Sequence, residues 1–226
     1  MGRRLLSDPR EPLCKLLDQC QQCWSSKKQG KTLKACSACK IEKYCSVGCQ
    51  CLAWPAHKQK CHMNQQTQEL WSPDMAQISV SLRRFTNNHR PIISQAVIRA
   101  FDHLKHPARC LTDVLVIWVT HCQHDPAQCS PRKETTFSAT DAAIIPVESV
   151  PCDIPHLRNQ IAECNLKIRR DGFMCAFFVI FVCVEYCIMH IIPVGFRKEK
   201  RDYGGLNSVM GWKDELMYCL NEGIVM

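Results

Sequence analysis

The chain has 226 residues, 46% of them hydrophobic and 22% charged, with a formal net charge of +8. That is room for one mid-sized domain plus a small module, and the composition excludes a disordered or collagen-like chain. The surplus of basic residues raises the question of nucleic acid, and the 18 cysteines raise that of metal or disulfides.

Residues 1–18 read as a short polar leader. The first residues have basic side chains but no apolar core and no small-residue cleavage site, so they do not read as a secretory signal. Leu6 stands where a myristoylation signal needs Ser or Thr. We therefore expect an intracellular protein with reduced thiols, cytoplasmic or nuclear, in which clustered cysteines mean metal before disulfides.

Residues 19–62 carry the ligands. They come in four pairs: Cys20 and Cys23, Cys36 and Cys39, Cys45 and Cys49, His57 and Cys61. A Cys-x2-Cys turn presents two sulfurs to one tetrahedral ion, and residues four apart share a helix face. Eight ligands close two four-coordinate sites and leave no position for a reactive water, which argues for structural zinc. Such a segment has too few large apolar groups to fold without metal. Cys51 and His62 are near-miss ligands that the spacing does not require.

Seven thiolates and two divalent ions together contribute −3, so the chain's +8 becomes +5. Lys27, Lys28, Lys31, Lys34, Lys40, Lys43, Lys58 and Lys60 surround the thiolates and face one acid, Glu42. They offset thiolate charge and make a weak case for a DNA-binding patch.

The string from Cys39 through Tyr44-Cys45-Ser46, Cys49-Gln50, Trp54, His57-Lys58 and Cys61 resembles the MYND zinc-finger family. The resemblance implies interleaved zincs. One site takes Cys20, Cys23, Cys45 and Cys49, and the other takes Cys36, Cys39, His57 and Cys61. A RING-like cross-braced finger shares the same ligand logic. The gap of twelve residues between Cys23 and Cys36 departs from the family and reads as a mobile loop. MYND fingers bind short proline-rich peptides, and Gln50 and Trp54 match the positions of that groove. An aromatic face beside an amide suits an extended proline segment, although Trp54 also reads as packing for a small core. Tyr44 reads as core between the zincs.

Residues 63–90 read as a connecting helical segment. The Gln-rich stretch 64–68 extends the last helix of the finger. Ser72-Pro73-Asp74 is a helix start, with Met75, Ile78, Leu82 and Phe85 at helical spacing. The string 82–91 and the tail 220–226 resemble uncharacterised fungal proteins that carry a MYND finger, which supplies no activity.

Residues 91–226 read as an α+β domain. Pro91 starts a helix whose apolar face holds Ile92, Ile93, Ala96, Val97, Ala100, Phe101 and Leu104, and His106-Pro107 ends it. Residues 114–119 are a β-branched run of strand length, and 143–147 read as a further strand. Residues 155–169 read as a helix with Leu157, Ile161, Cys164 and Ile168 on one side. The apolar run 173–192 is long enough to cross a bilayer, but Glu185 and His190 lie inside it. Two buried strands joined near Val184-Glu185 explain it as well. Residues 197–207 are a basic loop and 212–220 a terminal helix.

His121, Cys122, His124 and Cys129 form a looser set of metal-type residues without paired turns. Cys175, Cys183 and Cys187 read as small buried side chains, and His190 as a core or strand-edge histidine. There is no P-loop, nucleophile elbow or dinucleotide fingerprint, and no SET-like motif of the kind found beside some MYND fingers. We expect a non-enzymatic adaptor whose partner is a proline-rich protein segment. The alternatives are a transcription-linked protein touching nucleic acid and an enzyme of another kind in the C-terminal domain.

Overall fold

The computed structural model describes residues 20–23, 25, 30–102, 105–122, 133–150, 157–170, 173–196 and 210–225. The described residues fall into two compact units, divided between Gln77 and Ile78.

The first unit holds a two-stranded ribbon, β1 (Lys34–Ala35) and β2 (Lys43–Tyr44), followed by α1 (Val47–Leu70). The Gln-rich stretch does extend this helix, since α1 continues to Leu70. The next helix, α2 (Pro73–Asn88), begins as the sequence indicates: the Met75 N–H donates to Ser72 Oγ at 3.3 Å, and Pro73 loses no hydrogen bond in the first turn. The division between the units falls inside α2. Leu82 and Phe85, from the stretch 63–90, sit at 0% exposure in the second unit.

That unit contains α3 (Arg90–Phe101), β3 (Asp113–His121), β4 (Phe137–Pro146), α4 (Leu157–Arg170), β5 (Cys175–Cys183), β6 (Ile188–Phe196) and α5 (Trp212–Asn221). The sheet order is β4-β3-β5-β6. β3 runs antiparallel to β4 and parallel to β5, with Val114 opposite Phe178, and β5 and β6 form an antiparallel hairpin.

All nine residues of β5 are buried, which explains why the sequence shows no period-two alternation there. On one face, Val114, Val116, Phe178 and Ile180 pack with Leu157 and Ile161 of α4. On the other, Phe85 of α2 meets Phe137 and Phe181 at 5.5 and 6.4 Å, and Phe101 of α3 meets Phe177 at 4.4 Å. Helices thus cover both sides of a mixed sheet, an α+β arrangement. Each fully buried phenylalanine contributes on the order of 2–3 kcal/mol.

The apolar run 173–192 falls within this hairpin. It turns at Val184–Tyr186, where Glu185 is exposed and Cys187 takes a left-handed conformation with φ 52°. Among the described residues, no helix is long and apolar enough to cross a membrane. Cys187 is exposed, against the expectation of a buried side chain, because the hairpin reverses there. Cys175 and Cys183 are buried as expected. β4 is longer than the strand expected at 143–147: its first half is Ser, Thr and Ala on a sheet edge and lacks a strand-like apolar pattern. The basic loop 197–207 lies outside the described residues.

Two asparagines complete the sheet where strands are missing. Asn165, 1% exposed on α4, accepts from the Ala176 N–H at 2.8 Å and donates to the Ala176 and Ile161 carbonyls at 3.0 and 3.1 Å. Asn221, at the end of α5, accepts from the Ala139 N–H at 2.7 Å and donates to its carbonyl at 3.2 Å. Ala139 lies beside the bulge in β4, where Trp118 pairs Asp141 and Val119 pairs Ala139. Each side-chain amide takes the place of a neighbouring peptide group, so buried backbone is not left unpaired.

Candidate metal centre

The finger assembles its ligands from two tight turns and one helix. The Cys20 N–H donates to the Ser25 carbonyl at 2.8 Å, closing the first turn around Cys20 and Cys23. The ribbon carries the second turn: the Cys36 N–H donates to the Glu42 carbonyl at 2.7 Å, and the Lys40 N–H donates to the Cys36 carbonyl at 2.9 Å. Lys40 adopts φ 55°, the left-handed corner that turns the chain after Cys39. Beyond Tyr44, Ser46 caps α1 by accepting from the Cys49 N–H at 3.1 Å. Along α1, Cys49, Ala53, His57 and Cys61 recur every four residues and so share one face.

The side chains gather into two groups of four. Cys20, Cys23, Cys45 and Cys49 form one, and Cys36, Cys39, His57 and Cys61 the other, with all ligand atoms of a group within 4.8 Å of one another. Zinc bonds of about 2.3 Å to sulfur at the tetrahedral angle put two sulfurs about 3.8 Å apart, and a sulfur and an imidazole nitrogen about 3.6 Å. The observed separations are 3.5 Å for Cys23–Cys45, 3.6 Å for Cys45–Cys49, 3.9 Å for Cys36–Cys61 and 3.6 Å for Cys39 Sγ to His57 Nε2. The residues fit zinc in number, type and spacing. Four protein ligands fill a tetrahedral ion, so its chemistry here is structural.

The groups around the ligands tune them. Glu42 Oε2 lies 2.8 Å from His57 Nδ1, off the axis an ideal hydrogen bond would take, and faces the metal-binding Nε2 across the ring. A carboxylate there holds the tautomer that leaves Nε2 free for metal. The same oxygen accepts from the Tyr44 hydroxyl at 2.6 Å. Tyr44 is 1% exposed and belongs to the apolar cluster of the finger, as expected, and burial followed by the Glu42 bond pushes its hydroxyl pKa up.

The sulfurs hold their protons unequally. Burial pushes the Cys23 and Cys36 thiols up, but hydrogen bonds outweigh it and bring both down to about 6. Those bonds come chiefly from Ser25 for Cys23, and from the Cys39 backbone and His57 for Cys36. Hydrogen bonds with Cys23 and Cys49 push Cys45 up to about 12, while burial and the Cys36 sulfur push Cys61 up to about 11. Each group thus contains a thiol whose pKa its neighbours lower and one whose pKa they raise.

Interleaved sites of this kind define a cross-braced two-zinc finger. More narrowly it is a MYND finger: residues 14–61 match the model of that family. Over 45 residues the chain is 51% identical to a SET and MYND domain-containing protein of Dictyostelium discoideum, a stretch covering 19% of this chain and 8% of that protein. Over 59 residues it is 36% identical to histone-lysine N-methyltransferase SMYD3 of Homo sapiens, covering 26% of this chain and 13% of the relative. The mouse SMYD3 matches to the same extent. The chain therefore spans a small part of these relatives. No solved structure gives a significant match. The finger is a zinc-binding protein-interaction module.

The remaining candidates are placed as follows. Trp54 is 42% exposed on α1 with its ring edge-on to His57 at 6.0 Å. Gln50 is half-buried and donates from Nε2 to the Cys36 sulfur at 3.9 Å. Cys51 and His62 are exposed on α1, outside both groups. Lys31, Lys34, Lys40, Lys58 and Lys60 are exposed, while Lys27 and Lys28 lie outside the described residues with most of the loop expected between Cys23 and Cys36. Of the looser set, His121 ends β3 and Cys122 follows it, whereas His124 and Cys129 lie outside the described residues. His190 lies on the edge strand β6.

In the sequence Glu42 is simply the one acid among the finger's lysines. Its place beside His57 depends on the ribbon, which no residue spacing announces. The roles of Ser25, which closes the first turn, and Ser46, which caps α1, likewise emerge only in the structure. Ser46 precedes the helix by one residue, which is an N-cap signal.

Proposed function

We propose that the finger docks a proline-rich segment of a partner protein on Trp54, with Gln50 beside it, and that the chain works as a non-enzymatic adaptor. The exposure of Trp54 carries this reading. A small zinc module has every reason to bury its one described helical indole, yet Trp54 keeps 42% of its surface in solvent. Its neighbour His57 is held by the metal site and by Glu42, so the ring stands on a rigid base. A rigid, half-exposed indole is the surface on which a preformed polyproline segment binds at low entropic cost. The Gln50 N–H donor is engaged with Cys36, which leaves its carbonyl oxygen for the peptide.

The histone-lysine methyltransferase activity of SMYD3 belongs to that longer protein, of which the matched stretch is 13%.

The test is a calorimetric titration of the zinc-loaded chain with proline-rich peptides. Trp54→Ala should weaken binding at least about tenfold, as for a central aromatic anchor, while two zinc ions remain bound. Equal affinity for both proteins would sink the groove assignment.

A further inference from the structure

Proline rings stacked on an indole give affinity but little selectivity, because every proline-rich segment offers them. What stands beside Trp54 decides which segment is taken. Gln50, Trp54 and Lys58 follow at intervals of four residues along α1 and so form one row. The neighbouring row is Cys49, Ala53, His57 and Cys61, which turns toward the metal sites. Trp54 and Lys58 are both exposed, about 6 Å apart along the helix axis.

Lys58 has no acid to answer it. Among the described residues its side chain enters no ion pair and no hydrogen bond. Glu42 is the one acid of residues 19–62, and its carboxylate is turned inward onto His57 Nδ1 and the Tyr44 hydroxyl. The other exposed charges of the finger, Lys31, Lys34, Lys40 and Lys60, have the same sign as Lys58. The metal sites do not absorb this surplus. Eight lysines in residues 19–62 stand against −3 for the two loaded sites and −1 for Glu42, which leaves +4.

We propose that Lys58 is the specificity contact of the Trp54 surface, and that the partner is a proline-rich segment with an Asp or Glu about three residues from the proline on the indole. This rests on the proline-peptide reading and adds a charge to it. A polyproline segment rises about 3.1 Å per residue with three residues per turn, so residues three apart share one edge, about 9 Å from each other. The helix supplies about 6 Å of that span, and the flexible lysine stem supplies the rest. A carboxylate on this edge meets the ammonium while the proline ring lies on the indole. An exposed pair of this kind adds modestly to affinity, but it discriminates against basic segments, which meet like charge. Duplex DNA also answers the lysines, yet it brings no proline ring to the indole.

The experiment titrates the zinc-loaded full chain in a calorimeter with short peptides that share a Pro-Pro-Pro centre in a Gly/Ser frame. Three of them carry Glu, Gln or Lys three residues after the central proline, and a fourth carries Glu three residues before it. One Glu peptide should bind about three- to fivefold tighter than the Gln peptide, and which one it is assigns the direction of the bound segment. The Lys peptide should bind more weakly than the Gln peptide, and added salt should shrink the differences. Lys58→Gln should remove the preference for Glu and leave the affinity for the Gln peptide unchanged. Lys60→Gln, on another face of α1, should keep the preference. Trp54→Ala should weaken all the peptides alike. If the Gln peptide binds through Trp54 but neither Glu peptide binds tighter, or if Lys58→Gln keeps the preference, the proposal is overturned and the proline-peptide reading stands. If no peptide binds, both fall. If a duplex oligonucleotide binds and loses affinity with Lys58→Gln, while the Glu peptides show no advantage, Lys58 serves nucleic acid and the proposal is overturned.

Discussion

The two units hold themselves together by different means. In the finger, the buried cluster is Cys20, Cys36, Cys39, Tyr44, Ala53 and Cys61, so most of what is buried is ligand. In the sheet unit, one strand buries nine successive residues, three of them phenylalanine, between helices on both faces. The finger draws its stability from metal–ligand bonds, and the sheet unit from apolar area. A local ligand code is legible at short range, whereas an apolar core depends on which distant segments meet.

The largest effect should come from metal removal. Structural zinc sites of this kind contribute on the order of 10 kcal/mol or more to the folding of their segment. A strong chelator should collapse the amide signals of the finger and leave the cooperative unfolding of the sheet unit in place. Simultaneous loss of both signals would break the comparison.

Next comes a cavity in the other unit. Phe181→Ala removes a fully buried ring that touches Phe85. It should cost about 3–5 kcal/mol in denaturant unfolding of the sheet unit, with two zinc ions still bound. A change in zinc stoichiometry would show that the metal-built and apolar-built cores share stability.

A smaller but sharper loss belongs to Asn165→Ala. It leaves the Ala176 N–H and carbonyl buried without their partner, at about 2–3 kcal/mol. Asn165→Asp should not rescue, because a carboxylate accepts from the N–H but cannot donate to the carbonyl. Full stability in the aspartate variant would contradict the peptide-mimic role.

These cases show why parts of the molecule were legible and others were not. Eight ligands at pair spacing could be read directly, and their interleaving followed from the family resemblance, because both are local signals. The β5–β6 hairpin could be seen as two strands from the polar break at Glu185. Which neighbours it has could not: β3 lies beside β5 in parallel, and that pairing joins residues more than fifty positions apart. Asn165 looked like one polar residue on a helix, since its partner strand is known only once the sheet exists. Residues 137–142 are too polar to announce a strand, and an edge position with Asn221 alongside makes them one.

The last prediction concerns the carboxylate behind the metal. Glu42 faces His57 Nδ1 and also accepts from Tyr44, so its removal acts on zinc affinity through the tautomer of His57 and on packing through Tyr44. Glu42→Gln keeps the shape and a hydrogen-bond acceptor for Tyr44 but removes the charge. Outer carboxylates of this type change metal affinity by about 10- to 100-fold. The variant should therefore lose zinc to a competing chelator at lower chelator concentration, and only from the His57 site. Tyr44→Phe separates the two roles. It deletes the hydroxyl and leaves the charge beside His57, so it should lower stability with a far smaller change in zinc affinity. If the two variants weaken zinc equally, Glu42 acts by holding Tyr44 in the core. The finger would then owe more to apolar packing than its ligand-built cluster suggests.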